Sequence, residues 1–257
     1  EIPKIELWFL ANKLLINLKK TNYMIFKQKN KKLSGQICDI KINNYNILQV
    51  SNTVFLGVTL DENLTWAPHI NNTRRKISCA IGVLYRIRHL IPLNILINIY
   101  NAIILPHLSY CTLIWGHCAK TLMNQVYVLQ KRALRAITNS HPRTPSEPLF
   151  RKLNVLTIFQ IHELQVGSFM YMYNKNMLPS IFDNMFKITK DVHPHYTRHA
   201  NDLYIPLLKY HTSRRSVKYS GVSSWNAIPT HIKMCPSVAS FKRKYKNYLM
   251  KEFLSYV

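Results

Sequence analysis

Acidic side chains are scarce in this 257-residue chain, which has 11 Asp and Glu against 35 Lys and Arg. The formal net charge of +24 favours a polyanionic partner, with nucleic acid first and an anionic membrane face second. The scarcity also argues against one kind of site, because Asp61 and Glu62 form the only adjacent acidic pair and a two-cation centre needs clustered carboxylates. We therefore predict no metal site in this chain.

Glycine and cysteine are also few. Six Gly argue against an all-β sandwich or barrel, whose tight turns use glycine, so helices should dominate a chain that is 47% hydrophobic. Five irregularly spaced Cys predict reduced thiols in a nuclear or cytoplasmic protein that is not secreted. Because the chain opens with Glu1 and shows no signal peptide, we expect it to be part of a longer polypeptide.

One long run carries no charge, from Ile91 to Trp115. Its length is close to the ~20 residues of a bilayer span. However, Asn94, Asn98 and Asn101 recur at helical spacing and mark one polar face, and Pro106 interrupts the run. The pattern favours a helix packed within the protein, and no contact with a membrane is predicted.

Histidine and cysteine are grouped at two places without the spacing of a zinc module. His107, Cys111, His117 and Cys118 lie in an apolar helical stretch. His193, His195 and His199 have the spacing of metal ligands, but Pro194 favours a polar structural loop. Neither group changes the prediction that metal ligands are absent.

The predicted fold class is α+β, a small antiparallel sheet with one helix followed by a mainly helical bundle. The first 64 residues combine a helical segment, Lys4–Leu14, with short β-rich runs and polar breaks typical of hairpin turns. The β-rich runs are Leu15–Leu18, Tyr23–Lys27, Ile37–Ile42, Tyr45–Val50 and Thr53–Thr59, and the breaks are Lys29–Gly35 and Asn43-Asn44.

Beyond Leu64 the apolar residues recur with helical period. Thr65 can cap a helix that carries Pro68 in its first turn, and apolar stripes follow in four segments. Between Pro179 and Tyr219 the pattern is irregular, which indicates loop with a strand or two. The stripes run from Ile70 to Ile91, from Leu122 to Ile137, from Thr157 to Asn174 and from Val238 to Leu249.

Several motifs occur in an order that resembles a known family. The block VFLGVTLDENLTWAPHI, Val54 to Ile70, is the most specific. The chain resembles the reverse transcriptases of non-LTR retrotransposons, the jockey-like elements in particular, over nearly its whole length. The other matching segments are Trp8–Phe26, Tyr100–Gly116, Leu129–Ile137, His195–Ala200 and Ser224–Pro229.

The resemblance implies three domains: a distal palm fragment over residues 1–64, a thumb-like helical domain over 65–140 and a C-terminal helical and loop region over 141–257. The family's metal-binding aspartates sit in a Phe/Tyr-Ala-Asp-Asp turn that would precede Trp8, and this chain lacks it. We therefore expect this chain alone to be inactive, without a cofactor of its own. The intact polymerase would use Mg²⁺ to copy an RNA template from a DNA primer, and an endonuclease domain could accompany it in the parent polypeptide.

The resemblance also assigns roles to residues of the first domain. Phe55, Leu56 and Gly57 correspond to the primer-grip turn, where glycine lets a backbone approach the primer closely. Lys20 occupies the place of a lysine that could act near the leaving pyrophosphate as a proton donor or a point charge. A basic β-edge at Lys19 and Lys20 is the alternative. For Asp61 and Glu62, an ordinary solvated turn and a helix-start role are predicted.

Rows of cations beside apolar stripes predict helices that dock on a core while their outer faces track phosphates. In the first of these helices, Arg75 and Arg86 fall together on the face opposite the apolar stripe. These rows lack the interspersed acids of ordinary solvated helices. The predicted nucleic-acid-binding residues are Arg74, Arg75, Lys76, Arg86, Arg88, Lys131, Arg132, Arg135, Arg198, Arg214, Arg215, Lys242, Arg243 and Lys244.

Two alternatives to a working polymerase part stay open. The chain could bind RNA or DNA as a non-catalytic basic module. It could also be a decayed retrotransposon copy without a selected function.

Overall fold

The structure is a computed structural model that describes residues 2–27, 40–42, 45–192, 200–207 and 216–252. It divides into two units, residues 1–71 and 72–257, which we call the N-terminal and C-terminal units. The predicted division at residues 64 and 140 into palm, thumb and C-terminal region stays a prediction. The α+β class is confirmed, since helices dominate the described residues and every described strand belongs to a two-stranded sheet.

The N-terminal unit contains helix α1, Ile2–Ala11, and three strand pairs. β1 pairs with β4 in parallel, whereas β2 with β3 and β5 with β6 are antiparallel. We expected one small antiparallel sheet, and the difference arises because four of the six strands have only two residues and each pairs with a single partner. The strands are β1 Asn22–Tyr23, β2 Lys41–Ile42, β3 Tyr45–Asn46, β4 Leu48–Gln49, β5 Asn52–Phe55 and β6 Val58–Asp61.

Two strand predictions in this unit were wrong. Leu15–Leu18 forms no strand, because a turn follows in which the Thr21 amide donates to the Asn17 carbonyl at 3.0 Å. The predicted strand Thr53–Thr59 is a hairpin, with a two-residue turn between β5 and β6. The predicted turns at Lys29–Gly35 and Asn43-Asn44 lie outside the described residues.

The C-terminal unit is helical, and helix α2 enters it from the N-terminal unit. The predicted stripes are confirmed: Ile77 and Leu84 of α2 are completely buried, as are Val126 and Ala133 of α6. The helices are α2 Ala67–Ile87, α3 Leu93–Ile103, α4 Leu105–Ser109, α5 Thr112–Trp115, α6 Lys120–Ile137, α7 Glu147–Lys152, α8 Ile158–Asn174, α9 Val217–Ala227, α10 Thr230–Lys233 and α11 Val238–Glu252.

Helix α8 is the centre of this unit and packs against α4, α5, α6, α9 and α11. It begins with a capping box in which the Gln160 amide donates to Thr157 Oγ1 and the Thr157 amide donates to Gln160 Oε1. Nε2 of Gln160 also donates to the Leu249 carbonyl at 2.7 Å. The same side chain therefore joins the start of α8 to the end of α11.

The uncharged run from Ile91 to Trp115 forms three short helices, α3, α4 and α5, instead of one. Cys111 has a positive φ of 50° at the break before α5. Asn94, Asn98 and Asn101 are exposed, as predicted for a polar face. Among the described helices, none is long and apolar enough to cross a bilayer.

The stretch after Pro179 contains two short 3₁₀ helices, Ser180–Phe182 and Thr189–Asp191. We expected a strand or two here. In the described part of this stretch, the extended structure consists of one antiparallel bridge between Ile188 and Leu203. Helix α9 was not predicted, because Gly221 and three serines weaken its helical pattern.

Candidate nucleic-acid interface

The predicted primer-grip turn is a protruding hairpin tip. Leu56 and Gly57 have φ of 47° and 78°, the two positive values of a type I′ turn. Phe55 pairs with Val58 across the hairpin, and Val58 is only 5% exposed. Phe55 and Leu56 are 64% and 74% exposed. β6 is therefore packed into the unit, whereas the apolar end of β5 faces solvent.

Immediately after the hairpin, Asp61 organises the entry into α2. Its carboxylate accepts hydrogen bonds from the Thr65 amide and hydroxyl, both at 2.9 Å, and from the Trp66 amide at 2.8 Å. The Thr65 hydroxyl in turn accepts from the Ala67 amide at 3.3 Å. The predicted helix-start role is confirmed, but a solvated Asp61 was wrong, because the residue is 8% exposed.

Lys20 lies in the exposed turn that precedes β1. Its amide donates to the Asn17 carbonyl at 3.0 Å. Lys19 is exposed beside it, in the same turn. The basic β-edge considered as an alternative was wrong, and the catalytic role stays a prediction.

Helix α2 presents Arg75 and Arg86 on one face. Because they are 11 positions apart, about three full turns, they lie at nearly the same angle around the helix axis. Both are exposed, on the side opposite Ile77 and Leu84. The exposed Lys76 lies beside this row, and Arg74 is half-buried. The pKa of His107 on α4 is lowered mainly by burial and secondly by the positive charge of Lys76.

At the end of α2, Arg88 is held by its neighbours. Its guanidinium carbon lies 4.8 Å from the centre of the Tyr85 ring, and its Nε donates to His89 Nε2 at 3.1 Å. Tyr85 and His89 are exposed, and Arg88 is half-buried. This predicted cation is therefore fixed in orientation while part of it remains accessible.

The three predicted cations of α6 differ in their surroundings. Arg135 donates from Nε to the Thr144 carbonyl at 2.9 Å, so part of its guanidinium supports the loop before α7. Lys131 is half-buried, with its ammonium 4.6 Å from the Tyr127 ring centre. Arg132 is exposed. Of the three, Arg132 presents the least encumbered charge to solvent.

Helix α11 carries the third row. Lys242, Arg243 and Lys244 are exposed, whereas Phe241 and Tyr245 are buried against the rest of the unit. The predicted docking face and basic face are therefore both confirmed for this helix. Arg198, Arg214 and Arg215 lie outside the described residues.

The charge excess belongs mainly to the C-terminal unit. Residues 72–257 have 26 Lys and Arg against six Asp and Glu. Helices α2 and α6 contain neither Asp nor Glu. Because few local carboxylates offset these cations, their outer faces have a positive potential that attracts phosphate.

The described residues do not fit the Mg²⁺ pair of a polymerase. Among them, no group of three His, Cys, Asp or Glu side chains could hold a metal ion. The buried Asp61 carboxylate already accepts three hydrogen bonds from Thr65 and Trp66. His193, His195 and His199, for which a polar loop is predicted, lie outside the described residues.

Two residues of this surface were missed in the sequence. Tyr85 was not singled out, although Arg88 follows it by three positions, just beyond the end of α2, and side chains at this spacing are neighbours on a helix surface. Gly82 was also passed over, yet it lies between Arg75 and Arg86 on the outer face with no atom within 4 Å of where a Cβ would be. Helical spacing would have found both.

Comparison with known proteins identifies relatives among mobile-element polymerases. The chain is 32% identical over 148 residues to a probable RNA-directed DNA polymerase from transposon BS of Drosophila melanogaster, and this match covers 56% of the chain and 16% of that relative. It is 28% identical over 110 residues to the RNA-directed DNA polymerase from the mobile element jockey of the same species, covering 42% of the chain and 12% of the relative. A probable polymerase from transposon X-element is 25% identical over 147 residues, covering 56% of the chain and 16% of the relative.

No protein-family model and no solved structure matches the chain. The aligned part of the chain spans about a sixth or less of the length of these curated relatives. The order of motifs in the sequence agrees with these identities, and the chain is similar to RNA-directed DNA polymerases of mobile elements.

Proposed function

We propose that this chain holds the RNA template and DNA primer of a mobile-element reverse transcriptase. The observation that carries the proposal is the set of exposed cations on α2, α6 and α11, in a unit with few carboxylates. The relatives are named as RNA-directed DNA polymerases, so a template–primer is the polyanion that this surface would meet. On this proposal the protein acts in the nucleus or the cytoplasm, and an endonuclease domain could accompany it.

The dimensions of α2 suit this role. At 1.5 Å per residue, Arg75 and Arg86 are separated by about 16 Å along the helix axis. Both lie on the outer face, which carries no acid to compete with phosphate. Such a row neutralises phosphates and releases counterions, which gives affinity without base specificity.

We also propose that the hairpin tip contacts the primer. The exposed Phe55 and Leu56 offer apolar surface, and Gly57 has no side chain to keep another strand away from the backbone. The left-handed backbone at Leu56 supports this proposal, because a bulky L-residue is strained there and such strain is concentrated at functional sites.

The chemistry itself would depend on aspartates outside this chain. We propose that Lys20 is a point charge or proton donor only once those residues are present. A primer-extension assay with Mg²⁺ and deoxynucleoside triphosphates tests this directly. We expect no extension by this chain alone, and extension would overturn the proposal that the catalytic aspartates lie elsewhere.

The binding test is a fluorescence anisotropy titration on an RNA–DNA duplex at several salt concentrations. If ~6–10 phosphates are contacted, the affinity should fall by about a thousandfold or more between ~50 and ~200 mM salt. Replacing Arg75 and Arg86 by Gln should weaken binding to all sequences alike and lower the slope of log K against log salt by about two.

The matched control replaces Lys187 and Lys190 by Gln. Both lysines are exposed and lie far from the three rows in sequence, so the control removes the same charge from a different place. Equal losses in the two double variants would show a general effect of net charge and contradict a specific surface. Affinity that hardly changes with salt would contradict phosphate contacts altogether.

A further inference from the structure

We propose that Tyr85 and Arg88 form a binding site for an unpaired nucleotide at the end of α2. The proposal rests on the proposed function and deepens it, because it names a single-stranded contact beside the duplex-binding rows. Neither a row of cations nor net charge would produce such a contact, since it requires an aromatic or guanidinium plane for a base.

The geometry of the pair is already fixed in the free protein. The Arg88 guanidinium lies over the Tyr85 ring, with 4.8 Å from its carbon to the ring centre. The bond from Arg88 Nε to His89 Nε2, 3.1 Å long, restrains the same group from a second side. A guanidinium held in this way loses less side-chain entropy when a ligand binds.

Three other cation–aromatic pairs occur among the described residues, and each has an aromatic ring committed to packing. Tyr171 is 1% exposed and Trp225 is 8% exposed, so the rings under Lys175 and Lys233 belong to the core. The Tyr127 ring under Lys131 packs against Phe150 and Phe159. Tyr85 is 37% exposed and contacts no other described ring.

Polar groups of Tyr85 and Arg88 are also available to bind a ligand. No acceptor in the described part of the chain bonds the two Nη atoms of Arg88, and no described group bonds the Tyr85 hydroxyl. Arg86, two positions before Arg88, is a further exposed cation near the pair. The site therefore combines fixed aromatic and guanidinium planes with unused N–H donors for a phosphate.

This chemistry fits one unpaired nucleotide. Bases within a duplex have both faces covered by stacking, whereas an unpaired base can stack on an aromatic ring or on a guanidinium plane. The Nη donors of Arg88 can bond the adjoining phosphate in the bidentate manner that lysine cannot reproduce. The template strand beyond a primer end is the kind of substrate that supplies such a nucleotide.

The experiment compares the affinity of the chain for two substrates by fluorescence anisotropy. One is a blunt RNA–DNA duplex, and the other is the same duplex with an unpaired RNA overhang. Tyr85→Leu should weaken binding to the overhang substrate by about 5- to 30-fold while the blunt duplex changes by less than about twofold. Tyr85→Phe keeps the ring and should bind like the parent chain.

Arg88→Lys is the second variant, and it covers the case in which Tyr85→Leu does not fold. It keeps the charge but loses the planar group, so it should lose affinity selectively for the overhang substrate. Equal losses on both substrates, or no loss on either, would overturn the inference while leaving the proposed function intact. If the parent chain binds neither substrate in a salt-dependent way, the proposed function fails as well.

Discussion

The backbone amide of Trp66 donates a hydrogen bond to Oδ1 of the buried Asp61 carboxylate at 2.8 Å. Trp66 and Leu64 both have positive φ, 66° and 50°, a conformation that is strained for bulky L-residues. The three bonds accepted by Asp61 hold this loop and lead the chain into α2. The most specific motif of the family resemblance therefore contains a structural carboxylate.

Replacing Asp61 by Ala should destabilise the N-terminal unit by about 2–3 kcal/mol, because it leaves two amides and a hydroxyl without their charged acceptor. Asp61→Asn should have a smaller effect, since an amide oxygen still accepts. The measurement is urea unfolding followed by tryptophan fluorescence. Asp183→Asn, at an exposed acid, is the control. If Asp61→Ala and the control were equally stable, the proposed role of Asp61 would be wrong.

Gln130 of α6 makes three buried hydrogen bonds, to α3, to the loop before α8 and to the start of α8. Its Nε2 donates to the Tyr100 hydroxyl at 2.9 Å and to the Leu156 carbonyl at 2.8 Å, and its Oε1 accepts from the Ile158 amide at 2.8 Å. Gln130→Ala should therefore lower the free energy of unfolding by about 3 kcal/mol or more.

Gln125 on the same helix provides the opposite comparison. No donor among the described residues reaches its buried Oε1. Gln125→Met keeps the volume and removes that unsatisfied acceptor, so it should be neutral or stabilising. Thermal unfolding of Gln130→Ala and Gln125→Met tests both predictions. A large loss of stability in Gln125→Met would contradict the view that its Oε1 is an unsatisfied acceptor.

The neutral pair His117 and His162 should make stability depend on pH. Their ring centres are 4.4 Å apart. Burial lowers the pKa of His117 to about 4, and burial followed by the charge of His117 lowers that of His162 to about 3. Between these values and the ordinary 6.5 the unfolded chain binds more protons, so the free energy of unfolding decreases as pH falls through this window.

We expect a loss on the order of 5 kcal/mol between pH 7 and pH 4 for the two groups together, measured by denaturant unfolding at each pH. His162→Phe keeps an aromatic ring next to His117 but removes one titrating group, so its stability should change less over the same range. An identical pH dependence in this variant would assign the loss to other groups.

Two glycines should respond in opposite directions to the same substitution. Gly82 lies inside α2 with open space around it, so Gly82→Ala should stabilise the helix by about 0.5–1 kcal/mol. At Gly116 an added Cβ would collide with the His162 ring and lie 2.5 Å from the Thr112 carbonyl oxygen. Gly116→Ala should therefore be strongly destabilising, and thermal unfolding compares the two. Destabilisation of Gly82→Ala would contradict the open surface described for α2.

Leu56→Asn separates stability from binding at the hairpin tip. Asn followed by Gly57 is the preferred pair for a type I′ turn, so the variant should be as stable as the parent chain or more stable. On the proposed function it should nevertheless weaken binding to a template–primer, since an exposed apolar side chain is lost. Unfolding and anisotropy measurements on the same variant test both parts, and unchanged affinity would remove the tip from the proposed contact.

Local patterns in the sequence were sufficient for part of the candidate site. The helical period of the apolar residues predicted α2, α6, α8 and α11, and the same period placed Arg75 and Arg86 together on the outer face. The family resemblance predicted a turn at Leu56 and Gly57. These features depend on neighbours within a few positions, which is why periodicity could find them.

The strands were harder to predict, because each has only two to four residues and the parallel pair joins Asn22 to Leu48 across the chain. Pairing over such distances is set by tertiary contacts rather than by local propensity. The same limit applied to Asp61, whose burial depends on how the loop around it folds.

The amino-acid sequence was enough to establish the excess of basic residues, the helical period and the similarity to mobile-element polymerases. Which cations remain available depends on the folded chain, because Arg135 is engaged by the Thr144 carbonyl whereas Arg132 is exposed. The contact between Gln160 and Leu249, 89 positions away, likewise exists only in the folded chain. Charge and period belong to single residues and their near neighbours, whereas burial and long-range hydrogen bonds arise only when distant parts of the chain pack together.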